Sequence, residues 1–192
     1  MTLRGLYAVT PDPSGFEKIE QALEGGVALL QYRRKHRDVA EAREIVALGH
    51  RYGVPVIVND DVELALEVGA AGAHLGRDDG DLVAARARLG KGILGASCYD
   101  DLEMAKAAVR AGADYIAFGS VFASPTKPAA VRAPLSLFSS HLGVPLCAIG
   151  GITLANARQL IAAGADLLAV ITDLFEAPDI AQRAAEYRRL FA

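Results

Sequence analysis

The strongest constraint on this chain is a repeat. Four segments share one form: an apolar helical stretch, a glycine, a small residue and a short apolar run. They are Leu23-Glu24-Gly25-Gly26-Val27-Ala28-Leu29-Leu30, Val68-Gly69-Ala70-Ala71-Gly72-Ala73-His74-Leu75, Ala111-Gly112-Ala113-Asp114-Tyr115-Ile116 and Ala163-Gly164-Ala165-Asp166-Leu167-Leu168. Gly26, Gly69, Gly112 and Gly164 are spaced by 43, 43 and 52 residues, a period that marks stacked supersecondary units. A second series lies between them, at Gly53-Val54-Pro55, Gly90-Lys91-Gly92 and Gly143-Val144-Pro145, each again leading into an apolar run. In every case glycine takes the left-handed position that ends a helix, and the chain then enters a buried strand.

Interleaving the two series, with Leu6–Thr10 in front and Leu167–Thr172 at the end, predicts eight strands over 6–10, 28–33, 55–59, 73–76, 94–97, 115–119, 145–149 and 167–172. The runs are short, apolar and weakly alternating, as for parallel strands covered on both faces. Val39–Tyr52, Val62–Val68, Leu82–Leu89, Leu102–Ala111, Ala155–Ala163 and Ile180–Leu190 carry apolar residues at helical spacing. Asp38, Asp81, Asp100 or Asp101, and Thr153 are the expected N-caps. Strand then helix, eight times, predicts an α/β fold, a compact (β/α)8 TIM barrel in a single domain over 1–192. Loops must be short at this length. The extra residues of the third interval fall between Phe122 and Pro134, in a polar, proline-spaced loop of the kind that carries function.

Composition narrows the function classes. Hydrophobic residues make up 52% of the chain, which excludes disorder. Lys plus Arg total 20 against 23 Asp plus Glu, a net charge of −3, which excludes a bulk nucleic-acid binder and leaves room for a local grip on a small anion. Cys98 and Cys147 stand far apart, without zinc spacing. Met1–Leu6 carries one positive charge and leads into no long apolar h-region, so no signal peptide is expected, and no apolar run reaches the ~18 residues of a membrane span. The expectation is a cytoplasmic protein whose partners are small molecules, not nucleic acid or membrane. Homo-oligomerisation is left open by the sequence.

Active sites of such barrels lie at the C-terminal ends of the strands. The second strand ends Gln31-Tyr32-Arg33-Arg34-Lys35, and alternation puts Gln31, Arg33 and Lys35 on one face with Tyr32 and Arg34 on the other. Simple solvation explains cations at a strand end, but a glutamine and two cations aimed into a barrel mouth are better matched by an anion. The third strand ends Asn59-Asp60-Asp61, with Asp61 the expected helix cap. Asp78 and Asp79 follow the fourth strand. Taken singly these acids read as caps or turn residues. Two carboxylates from adjacent loops suit Mg²⁺, which takes one or two and fills its shell with water and phosphate oxygens. Ser97 ends the fifth strand. Ser124-Pro125-Thr126-Lys127-Pro128 in the long loop reads as an anion grip. Gly150-Gly151 and Ile171-Thr172 end the last two strands, the corner where barrels hold phosphate, with Gly151 expected at the start of the following helix. His74 lies within a strand and is expected to be buried and hydrogen-bonded. His36, His50 and His141 have no metal-ligand spacing.

These motifs, in this order, resemble the thiamine phosphate synthase family over nearly the whole chain. The family's Q-x-R-x-K, N-D, H-L-G-x-x-D, G-x-S, T-P-T-K, I-G-G-I and final apolar-Ser pair correspond here to Gln31–Lys35, Asn59-Asp60, His74–Asp79, Gly95–Ser97, Ser124–Lys127, Ile149–Ile152 and Ile171-Thr172. The resemblance implies Mg²⁺-dependent joining of a hydroxymethylpyrimidine diphosphate to a thiazole phosphate, with release of diphosphate. It implies that Gln31, Arg33, Lys35, Asn59, Ser97 and Lys127 hold the pyrimidine diphosphate, with Arg33, Ser97 and Lys127 acting in catalysis. It further implies that Asp60 and Asp79 bind Mg²⁺, and that Ser124, Thr126, Gly151, Ile171 and Thr172 hold the thiazole phosphate. Arg34 stands where the family commonly has Glu and Arg77 where it has Gln; Ser124 and Thr172 exchange one hydroxyl residue for another. Two other readings share the barrel. A thiazole tautomerase needs an acid–base residue and no metal pair, and a non-catalytic phosphometabolite sensor has no use for the metal carboxylates.

Overall fold

A computed structural model describes residues 3–123 and 132–192. Eight parallel strands close into a barrel in chain order, β8 returning to β1. They are β1 (Gly5–Val9), β2 (Leu29–Tyr32), β3 (Val56–Asn59), β4 (Gly72–Leu75), β5 (Ile93–Tyr99), β6 (Tyr115–Gly119), β7 (Leu146–Ile149) and β8 (Leu167–Val170). The helices are α1 (Phe16–Glu24), α2 (Val39–Tyr52), α3 (Val62–Val68), α4 (Leu82–Leu89), α5 (Leu102–Arg110), α6 (Leu154–Ala163), α7 (Thr172–Phe175) and α8 (Ile180–Arg189).

The strands alternate although both faces are apolar, so the alternation is between two hydrophobic layers. Tyr7, Val9, Leu29, Ile57, Tyr115, Ala117, Cys147, Leu167 and Ala169 pack together inside the barrel. Leu6, Ala8, Leu30, Val56, Val58, Leu94, Ile116, Phe118 and Leu168 pack outward under the helices. One residue of slip would exchange the layers. The two cysteines divide between the layers, Cys147 inside and Cys98 outside, both fully buried and free.

Caps place the helices. Asp38, Asp61, Asp81, Asp101 and Asp179 each accept a hydrogen bond from the backbone N–H three residues on. Asp101 rather than Asp100 is therefore the cap of α5. Thr153 precedes α6, and its N–H donates to Asn156 Oδ1 at 2.8 Å.

Three expectations need correction. Helix α1 has no counterpart among the segments picked out by periodicity; its buried Ile19, Ala22 and Leu23 span little more than a turn. Strand β8 stops at Val170, and Thr172 opens the short α7 instead of ending the strand. A helix does not follow every strand: after β6 the described residues hold only a 3-10 turn, Leu135–Ser139. Its serines compete for the backbone, Ser140 Oγ donating to Leu137 O at 2.6 Å and Ser139 Oγ to Ala163 O at 3.2 Å. Phe138 covers the barrel there, edge-on to Phe118 with ring centres 5.8 Å apart.

Candidate active site

The end of β2 splits as its alternation requires. Gln31 is buried and donates from Nε2 to Tyr7 Oη at 2.7 Å inside the barrel. Arg33 and Lys35 are exposed at the rim. The backbone N–H of Arg33 donates to Thr10 Oγ1 at 3.0 Å and that of Lys35 to Asp12 Oδ2 at 2.8 Å, which fixes the chain there, and the Arg33 charge reaches Asp60. Arg34 turns the other way. It forks onto Glu41 at 2.9 and 2.8 Å, donates to Thr10 Oγ1 and to the carbonyls of Pro11 and Arg33, and lies over the Tyr32 ring. This departure from the family pattern therefore sits outside the mouth, where it ties the loop after β1 to β2.

Asp60 and Asp79 come together although they belong to different loops. Asp60 adopts a left-handed backbone (φ 63°) between Asn59 and the capping Asp61, and its N–H donates to His74 O at 2.8 Å. Partial withdrawal from water and the neighbouring Asp79 carboxyl push the Asp60 carboxyl up to about 6, while Arg33 and the Asn59 amide pull it back. Asn59 Nδ2 donates to Asp60 Oδ2, and Asp79 Oδ2 accepts from Gly76 N–H at 2.8 Å. Among the described residues no group of three or more acidic, histidine or cysteine side chains gathers. The pair is thus a two-carboxylate site beside an arginine. Arg77 is folded over the Tyr99 ring at 4.8 Å, so the second departure from the family pattern stacks on an aromatic.

Below the rim runs a connected row of polar side chains. Tyr7 Oη and Tyr115 Oη are 2.8 Å apart, Tyr115 Oη lies 2.8 Å from His74 Nδ1, and His74 Nε2 lies 2.8 Å from Ser97 Oγ. Burial lowers His74 to about 4 against a weaker opposing pull from Asp79, so the ring is neutral. Burial also raises both phenols, which stay protonated. His74 is thus buried and hydrogen-bonded as expected. The two tyrosines are what sequence reasoning missed. The available signal was a tyrosine on the inward register of β1 and of β6, where an aliphatic side chain would do.

At the far corner, Gly150 and Gly151 have φ of 106° and 64°. The expectation that Gly151 starts a helix is wrong: α6 begins at Leu154, after the Thr153 cap. A Cβ on Gly151 would stand 2.5 Å from Ala123 O, so glycine there lets two loops touch. Ile171 is half-buried as the N-cap of α7, and Thr172 is exposed beside it. Ser124, Thr126 and Lys127 lie outside the described residues.

A family profile described as thiamine monophosphate synthase matches residues 6–174. The thiamine-phosphate synthase of Aromatoleum aromaticum is 59% identical, covering 98% of this chain and 97% of that protein. That of Thiobacillus denitrificans is 54% identical, covering 98% and 95%. Among solved structures, thiamine phosphate pyrophosphorylase from Pyrococcus furiosus superposes with a TM-score of 0.88 at 33% identity, over 99% of this chain and 96% of that one. A 3-hexulose-6-phosphate synthase superposes at 0.71 with 18% identity, a likeness of fold alone.

Proposed function

This chain belongs to the thiamine monophosphate synthase family and is a transferase of thiamine biosynthesis, and from that premise we propose that it joins a hydroxymethylpyrimidine diphosphate to a thiazole phosphate, forming thiamine phosphate and releasing diphosphate. The observation that carries the reading is the meeting of Arg33, Asn59, Asp60 and Asp79 at one side of the mouth, together with the buried Gln31 and half-buried Ser97. A tautomerase has no need of this carboxylate pair, and neither does a sensor.

The chemistry asks little acid–base work of the protein. The thiazole nitrogen attacks with its own lone pair, and the aminopyrimidine ring supports positive charge as diphosphate departs. What remains is to align two rings and to stabilise a leaving anion. We assign the pyrimidine diphosphate to Gln31, Arg33, Lys35, Asn59, Ser97 and Lys127, with Arg33 and Lys127 neutralising the departing charge. Ser124, Thr126, Gly151, Ile171 and Thr172 hold the thiazole phosphate in this reading. Two adjacent carboxylates, the Asp60 one pushed up by burial and by its neighbour, fit Mg²⁺ as a donor set, so Asp60 and Asp79 would hold it. Once bound it would supply positive charge to phosphate oxygens.

No helix among the described residues is long and apolar enough to cross a membrane. Working on small, charged metabolites, the enzyme belongs in the cytoplasm in this reading. The test is to supply purified protein with both substrates, with and without Mg²⁺, and follow thiamine phosphate. Product that appears only with Mg²⁺ supports the reading; no product with Mg²⁺ present ends it.

A further inference from the structure

The polar row under the mouth has a direction, and the direction follows from its first member. Gln31 donates from Nε2 to Tyr7 Oη. Among the described residues Tyr7 Oη meets only Gln31 and Tyr115, so with its oxygen accepting from Gln31 the one acceptor left for its proton is Tyr115 Oη, 2.8 Å away. Tyr115 then spends its own proton on His74 Nδ1, again at 2.8 Å. A ring whose Nδ1 accepts is neutral and carries its proton on Nε2. That Nε2–H donates to Ser97 Oγ at 2.8 Å. With its oxygen satisfied from below, the Ser97 hydroxyl has its proton left to give.

We propose that Tyr7, Tyr115 and His74 form a one-way hydrogen-bond relay that positions the Ser97 hydroxyl as a donor to the ligand's diphosphate and leaves Gln31 Oε1 as the acceptor at the other end. The proposal rests on the pyrimidine diphosphate lying at Gln31 and Ser97, as assigned above. His74 and Tyr115 are positioning residues: they act through Ser97. Each of the five side chains comes from a different strand, β2, β1, β6, β4 and β5 in order.

Register makes the relay possible. His74, Gly95 and Tyr115 are lateral neighbours on three adjacent strands. Because Gly95 has no side chain, the His74 and Tyr115 rings meet across it, centres 5.5 Å apart and 27° from parallel. A Cβ on Gly95 would lie 2.1 Å from the Tyr115 ring and 2.5 Å from His74 Nδ1.

Because every member is committed, reversing one end reverses the whole row. An ionised carboxylate at position 31 can only accept. Tyr7 would then donate to it, Tyr115 to Tyr7, His74 Nδ1–H to Tyr115, and Ser97 to His74 Nε2. The outward proton is lost without any change of shape. Nitrogen NMR of histidine-labelled protein reads the tautomer directly, with the His74 signal identified by its absence from His74→Gln protein. The wild type is expected to hold Nε2–H, and Gln31→Glu at mildly alkaline pH is expected to hold Nδ1–H. A wild-type Nδ1–H ring overturns the direction, and an unchanged tautomer in Gln31→Glu overturns the coupling.

The functional arm is a double-mutant cycle. Tyr115→Phe keeps the ring and removes the link. It should lower kcat/KM for the pyrimidine diphosphate about tenfold and leave the KM for thiazole phosphate unchanged. In a Ser97→Ala background the same substitution should add almost nothing. Independent, multiplicative losses would mean that Tyr115 does not act through Ser97. Wild-type protein that makes no thiamine phosphate would end the functional reading, but the tautomer experiment would still decide the relay.

Discussion

His74 and Tyr115 touch through a gap that Gly95 leaves between them: the imidazole Nδ1 and phenol oxygen are 2.8 Å apart across a strand that contributes no side chain there. A methyl group in that gap has nowhere to go, since the nearest atoms belong to two rings packed in the barrel interior. Gly95→Ala should cost about 3 kcal/mol, or roughly 10 °C in Tm for a domain of this size. Calorimetry of the purified variant checks it. A variant melting with the wild type would mean that the barrel interior has slack that this geometry denies.

The carboxylate pair can be disturbed without altering either carboxylate. A Cβ on Gly76 would lie 2.6 Å from Asp79 Oδ2, the end of a side chain that can swing away. Gly76→Ala should therefore leave Tm near wild type and raise the Mg²⁺ concentration for half-maximal turnover about tenfold, the equivalent of one displaced charge-assisted contact. Asp79→Asn should behave similarly but more severely. Titration of activity with Mg²⁺ separates these outcomes, and an unmoved midpoint in both variants would remove Asp79 from the metal site.

Arg34 is predicted by its contacts to serve stability. Its side chain is 7% exposed, against 22% for Glu41, and its removal strands that carboxylate beside Tyr32. Arg34→Met should cost about 2 to 3 kcal/mol in urea unfolding. The KM values of the surviving folded enzyme should stay close to wild type, because the guanidinium faces away from the mouth. A selective rise in the KM for one substrate would place Arg34 in the site after all.

Buried His74 ties stability to acidity, with a sign that can be worked out. Its folded value of about 4 lies below the ordinary 6.5. Between those values the unfolded chain binds a proton that the folded ring refuses, so stability rises with pH in that window. The contribution is fully present above pH 6.5, falls as pH drops through the window and is gone below about 4. It amounts to ~3 kcal/mol. Denaturation of wild type and His74→Gln at pH 7.5 and pH 4.5 isolates it from other acid-sensitive groups. The wild type should lose more stability than the variant, and parallel losses would refute the assignment.

Most of the barrel was legible because glycine spacing and helix caps are local signals. Gly53, Gly69 and Gly164 take left-handed conformations after their helices, as the repeat requires. The turn after β6 was not legible, since a missing helix leaves no periodicity to read and serine backbone bonds depend on what lies nearby. Asp60 and Asp79 were named from sequence, and their proximity needed the closed fold. Tyr7 and Tyr115 escaped because tyrosine among apolar residues looks like core, and their phenol oxygens matter only once the closed barrel turns β1, β4 and β6 toward one interior.

The caps also divide the rim electrically. Strands deliver the chain to the mouth, so the helices that follow begin there, each offering a partial positive charge. Over α2, α3, α4, α5 and α8 that charge is met by an aspartate. Over α6 it is met only by the neutral Thr153 and Asn156, whereas α7, with Ile171 as its N-cap, carries Asp173 in its first turn, paired with Arg183 at 2.7 Å. An anion drifting across the mouth would meet fixed carboxylates after β2, β3, β4 and β5, interrupted by Arg33 and Lys35, and no capping carboxylate on the helix after β7. The residues that start the helices thereby set where on the rim a negative charge is turned away before any contact is made.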